Sequence, residues 1–211
     1  GDADFAAHSA KDLPSIVADG LQLAAFTERR DARDALVGLA LDALPAGATV
    51  ATGSVRRRAQ LRAVRPDLQF VELRGNIQTR LGKVPADGSI VMAVAALQIL
   101  GLTDRVAERF DVDLFVPSPG QGCVAVECRA DDPVTAARVA TVDHRVTRAA
   151  VEIEVRLREQ VADRGAQGAA AQDAKPVQRL HAAVERVARI VATSADQDFA
   201  GANAVRDHAL T

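Results

Sequence analysis

The sequence predicts an α/β protein with doubly wound sheets, followed by a mostly helical C-terminal region. Three observations predict it. Short apolar runs alternate with short helical segments up to about residue 130, the pattern of parallel sheets flanked by helices. Turns of small residues, such as "ATGS" and "RGN", join strand to helix. Beyond that point apolar residues recur at helical spacing, with no clear strand among them.

The elements follow in order. Residues 2–8 alternate loosely and read as a short strand, "KDLPSIVADG" as a loop punctuated by Pro14 and Gly20, and "LQLAAF" as a second strand. "RRDARDALV" reads as a turn followed by a short helix. "PAGATVATGS" reads as a turn, a strand over Thr49–Ala51 and a small-residue turn, after which Ser54 caps a helix from Val55 to Val64. "LQFVEL" is the next strand, and "RGNIQTRLGKV" a glycine turn with Asn76 capping a short helix. "SIVMAVAALQILGL" reads as a buried strand running into a helix that Gly101 ends. "VDLFVPSPGQGCVAVECR" reads as strand, Pro/Gly loop, strand.

The C-terminal texture is different. Val146, Ala150, Ile153, Leu157 and Val161 recur at helical spacing. "GAQGAAAQDA" is a small-residue linker, and Pro176 suits a first helical position. Val177, Leu180, Val184, Val187 and Val191 form a second stripe, with Glu185 and Arg189 paired four apart.

Composition bounds the function. The 211 residues are 48% apolar, enough for a large domain or two to three small ones. With six Phe and no Trp or Tyr, the cores should be small and aliphatic. Lys and Arg total 26 against 28 Asp and Glu, so no global field recruits nucleic acid, and anion binding must come from local clustering. The only two cysteines, Cys123 and Cys128, fit neither a disulfide framework nor a zinc spacing. No apolar run approaches membrane-spanning length and no signal-peptide pattern opens the chain, so a reduced cytoplasmic setting is expected.

Arginine is the first candidate chemistry. Arg56 and Arg57 follow one strand–turn–helix junction, and Arg74 and Arg80 flank another. In doubly wound sheets, ligands bind at the carboxyl ends of strands, where helix N-termini favour anions. Guanidinium forks match carboxylates, so four arginines at two such places suit a polycarboxylate better than one phosphate. The competing reading of Arg56, Arg57 and Arg58 is a solvated helix face. Asp12, in "HSAKDLP", is either a turn residue or a carboxylate that stabilises a cation or moves protons. The Gly-rich "PSPGQG" matches neither a P-loop nor a dinucleotide fingerprint, and both cysteines suit small buried positions better than nucleophilic ones.

Together "HSAKDLP", "ERRDARDALV", "LPAGATVATGSVRRRAQLRAVRPDLQFVELRGNIQTRLGK", "AVAALQILGL" and "PGQGCVAVECRADD" resemble, in order, the porphobilinogen deaminases, or hydroxymethylbilane synthases. The resemblance covers about residues 2–153. It implies two doubly wound domains, like those of periplasmic binding proteins, that face a cleft, followed by a small α+β domain. On that plan residues 1–27 and 112–130 belong to an incomplete domain one, 28–111 to a carboxylate-binding domain two, and 131–211 to a C-terminal region that is family-like only to about 153. The family joins four porphobilinogen units with loss of ammonia, on a dipyrromethane cofactor thioether-linked to a cysteine. By motif, Asp12 matches the catalytic aspartate. Ser9, Lys11, Ser54, Arg56 and Arg57 match cofactor-holding positions, and Arg74 and Arg80 substrate-holding ones. The implied partner is porphobilinogen, with no metal, nucleic acid or membrane, and a monomer is expected.

Departures accompany the resemblance. The family's N-terminal segment, with much of domain one's sheet, has no counterpart here, and Ile99 stands where an arginine is expected, unless Arg105 compensates. Gly53 replaces a common serine. The cofactor cysteine is not in this chain, and resemblance stops near Glu154, as a shifted reading frame or a divergent helical tail would make it. The chain made alone is therefore expected to be inactive or nearly so. The alternative function is a non-catalytic binding protein for a small carboxylated ligand.

Overall fold

Two sheets organise the protein in this computed structural model, which describes residues 2–14 and 17–166. In chain order the elements are β1 (Phe5–Ser9), β2 (Leu21–Phe26), β3 (Asp34–Gly38), β4 (Thr49–Ala51), α1 (Val55–Val64), β5 (Gln69–Val71), α2 (Ile77–Leu81), β6 (Ser89–Ala93), α3 (Val94–Ile99), β7 (Val106–Arg109), β8 (Val124–Arg129), α4 (Pro133–Val139) and α5 (Arg145–Ala166). They fall into two compact units, one of Arg29–Cys123 and one of the segments before and after it.

The Arg29–Cys123 unit carries a five-stranded sheet in the order β5-β4-β6-β3-β7. β4 is parallel to both β5 and β6, while β3 runs antiparallel to β6 and β7. Successive side chains of a strand point to opposite faces, and both faces here are apolar. Leu36, Val50 and Val91 pack with Leu61 of α1 and with Phe110 and Phe115, whose rings stack at 4.3 Å. Val37, Ala51, Ile90 and Met92 pack with Leu81 of α2 and Leu97 of α3. Helices thus cover the two faces separately, and the carboxyl ends of β4 and β5 lie side by side.

In the other unit β8 lies between β1 and β2, antiparallel to both. Val139 of α4 packs on Ala25 and Val126, and Asp132 caps α4 by accepting from the Thr135 N–H at 2.9 Å. The start of α5 is tied to β2: Asp143 Oδ1 accepts from the Phe26 N–H at 2.7 Å, and Arg148 Nη2 donates to the Ala24 carbonyl at 2.9 Å.

Several expectations are corrected. The architecture is mixed α/β, but among the described residues only β5-β4-β6 is parallel, and the three-stranded sheet is antiparallel throughout. "RRDARDALV" contains no helix: Asp34–Gly38 is a strand with neighbours on both sides, and Asp34 to Val37 are all buried. Tertiary pairing overrides local propensity in so short a run. "VDLFV" is a turn, in which the Asp111 carbonyl accepts from the N–H groups of Leu114 and Phe115, and the strand lies earlier, at β7. α5 is a helix as its spacing predicts, but Thr147, Ala150, Val151 and Glu154 are its buried residues, and of the expected stripe from Val146 to Leu157 Ala150 alone is fully covered. Pro176, the Val177–Val191 stripe and the linker beyond Ala166 lie outside the described residues.

Candidate functional site

Ser54 places the first arginine pair. Its side chain accepts from the Arg57 N–H and caps α1, fixing the turn from β4 into the helix. The next residues, Arg56 and Arg57, then reach back over the sheet end to one carboxylate, Asp34, the first residue of β3. Asp34 is 0% exposed. Its Oδ2 accepts from Arg56 Nη2 at 2.7 Å. Its Oδ1 accepts from Arg57 Nη2 at 2.7 Å, Arg57 Nε at 3.1 Å and Gln121 Nε2 at 3.0 Å.

The two arginines differ in what remains. Arg57 is buried, and Nη1 also donates to the Val91 carbonyl at 3.0 Å, so three of its five N–H groups are committed. Arg56 keeps 27% of its side chain exposed. Among the described residues it donates to Asp34 and to the Val116 carbonyl alone, with its guanidinium 5.9 Å from the centre of the Phe115 ring, which leaves three N–H groups. Burial pushes the Asp34 pKa up, but the charges and hydrogen bonds of Arg57 and Arg56 outweigh it and hold the carboxyl below its ordinary value. Burial, with the neighbouring Arg57 charge, lowers the pKa of Arg56 against the pull of Asp34. With two guanidiniums and one carboxylate the cluster is one positive charge in excess.

The second pair sits at the carboxyl end of β5. Asn76 accepts from the Thr79 N–H at 2.9 Å and caps α2. Gly75 makes that turn at φ +120°, where a Cβ would come within 2.8 Å of Thr79. The Arg74 side chain is 86% exposed and its Nε donates to Glu72 at 3.2 Å, whereas Arg80 Nε donates to the Gly75 carbonyl at 2.7 Å. Glu72 also meets Arg58, which donates to the Thr52 carbonyl, so Arg58 is held at the same turn and is not a simply solvated member of the run. A Cβ at Gly53 would lie 2.9 Å from Glu72 Oε1 and 3.0 Å from the Leu73 carbonyl, so a serine there would require the Glu72 side chain to shift.

In the other unit, β1 ends at Ser9 and a single tight turn, Ala10–Asp12, follows. Ser9 and Asp12 are exposed, and Lys11 is half-buried. His8 Nε2 lies 3.6 Å from Glu127 Oε2 of β8. Cys123 and Cys128 are buried, at 5% and 2% exposure. Ile99 is 61% exposed at the end of α3, and Arg105 is exposed on the next turn. Among the described residues no group of His, Cys, Asp or Glu suits a metal ion. Sequence reasoning missed Asp34 and Gln121. The signal for Asp34 is a charged residue that opens an apolar run.

The family model described as "Porphobilinogen deaminase, dipyromethane cofactor binding domain" matches residues 1–137. The chain belongs to the porphobilinogen deaminase family. It is 53% identical over 160 residues to the porphobilinogen deaminase of Thermobifida fusca (strain YX), covering 73% of this chain and 50% of that protein. The porphobilinogen deaminase of Xanthomonas oryzae pv. oryzae (strain PXO99A) is 51% identical over 159 residues, 73% and 52% of the two chains. The chain thus spans about half the length of the curated family members it matches. Among solved structures, a TRAP periplasmic solute binding protein from Sulfitobacter aligns at TM-score 0.39 with 10% identity, over 84% of this chain and 59% of that one. No helix among the described residues is long and apolar enough to cross a membrane.

Proposed function

We propose that this chain carries the carboxylate-holding machinery of a hydroxymethylbilane synthase, a transferase that joins four porphobilinogen units with loss of ammonia in tetrapyrrole biosynthesis. The observation that carries the reading is the pair of arginine-bearing junctions at the adjacent carboxyl ends of β4 and β5, in a chain of this family. Each pyrrole of porphobilinogen bears two carboxylates, so a growing chain needs many guanidinium donors. Arg56 and Arg57, with the Ser54 turn, are assigned to the cofactor, and Arg74 and Arg80 to incoming substrate. Ser9 and Lys11 are assigned to cofactor contacts, and Asp12 to stabilising positively charged pyrrole nitrogens. Exposure of Ser9 and Asp12 is compatible with these roles. The finer fold assignment, doubly wound domains like those of periplasmic binding proteins, a cytoplasmic setting and a monomeric state belong to the same proposal.

The donor set suits the anionic side groups of dipyrromethane, because Arg56 has N–H groups to offer. When bound, the group supplies the primer on which the chain grows. The two cysteines do not suit its attachment, since both are buried. The 211-residue chain made alone is therefore proposed to bind porphobilinogen without turning it over. Calorimetric titration and an ammonia-release assay on the purified chain test this. Saturable binding that falls about ten-fold in Arg74→Ala supports the reading. No binding, or steady turnover, contradicts it.

A further inference from the structure

We propose that Asp34 is a positioning residue for the anion site: an internal carboxylate that aims the Arg56 guanidinium at ligand. The inference rests on the reading of Arg56 as a carboxylate holder and deepens it. Its basis is the way both oxygens of Asp34 are used. Oδ1 takes Arg57 and Gln121, and Oδ2 takes Arg56 alone, at 2.7 Å. Gln121 Nε2 also donates to the Ala32 carbonyl at 2.6 Å, and Arg57 to the Val91 carbonyl at 3.0 Å, so the carboxylate is held from two directions. Arg56 then has one nitrogen pinned by Asp34 and the other by the Val116 carbonyl. A planar fork held at two nitrogens cannot rotate about its own axis. Its three other N–H groups are left in one orientation, on a side chain that remains 27% exposed. Two guanidiniums on consecutive residues also repel one another, and Asp34, 0% exposed between them, is the group that lets both stand there.

Positioning and plain electrostatics predict opposite signs. Removing a buried negative charge beside an anion site strengthens anion binding if charge alone matters. It weakens binding if the carboxylate sets the geometry. Asp34→Asn keeps the shape and removes the charge. Titrating porphobilinogen into the wild-type chain and into Asp34→Asn, each first checked for native circular dichroism, decides between them. Positioning predicts about ten-fold weaker binding in the variant. Equal or tighter binding by a folded Asp34→Asn overturns it. Should the variant not fold, the wild-type protein still gives the answer by proton exchange. The Arg57 Nε–H resonance, assigned by its loss in Arg57→Lys, should exchange with water at least ten-fold more slowly than that of the exposed Arg74. Equal exchange rates overturn the proposal. If the wild-type chain binds no porphobilinogen, the functional reading fails, and the exchange measurement still decides whether Arg57 Nε–H is held at Asp34.

Discussion

Each unit of the protein contains an aspartate gripped by arginine, and the two grips differ in what they leave over. In the unit with three strands, Arg148 of α5 meets Asp143 twice, at 2.8 and 2.9 Å, and donates to the carbonyls of Ala24 and Leu23 of β2. Its donors are nearly exhausted on the protein, so it acts as a staple between α5 and β2. In the sheet of five strands, Asp34 gathers two arginines, and Arg56 emerges with three N–H groups uncommitted. The chemistry is the same, but one site is saturated and the other is poised. Counting donors, more than counting charges, sets the two arginines apart.

The difference can be probed by removing each grip. Asp34→Ala strands a buried guanidinium and should destabilise the chain by about 3–5 kcal/mol in urea unfolding. Arg148→Ala breaks a half-exposed grip and should cost less, about 1–3 kcal/mol. If the two losses are equal, burial does not distinguish the sites. Acid sharpens the same contrast. The pKa of Asp34 is held down by Arg57 and Arg56 against burial, and that of Asp143 by Arg148 and the Phe26 N–H against burial. A depressed folded pKa means that the stability each contributes is complete above the ordinary carboxylate value of 3.8 and is lost as pH falls through the lower folded value. Unfolding midpoints should therefore drop below about pH 4, and Asp34→Asn should flatten that drop. Helix caps give the smallest effect. Asp132→Ala removes a cap bond of 2.9 Å and should cost about 1 kcal/mol, and Ser54→Ala, with a bond of 3.4 Å, less.

What the sequence revealed was local, and what it concealed was distant. β2, β4, α1 with its Ser54 cap and α2 with its Asn76 cap stand where their residues place them, because caps and turns are written within a few positions. β3 was hidden because a strand buried on both faces reads as a continuous apolar run, and five residues are too few to show a period. β7 was hidden because an edge strand such as "VAER" keeps polar residues. The arginine junctions were legible from residue order alone. Asp34 was not, since its partners lie 22, 23 and 87 positions away and only the folded sheet end unites them.

The central claim is that Arg56, not merely positive charge, presents donors to a carboxylated pyrrole. Isothermal titration of porphobilinogen into the wild-type chain, Arg56→Ala and Arg148→Ala tests it most directly. Both variants lose one positive charge. About ten-fold weaker binding in Arg56→Ala, with Arg148→Ala unchanged, is the predicted result. Equal losses in the two variants, or none in Arg56→Ala, would contradict it.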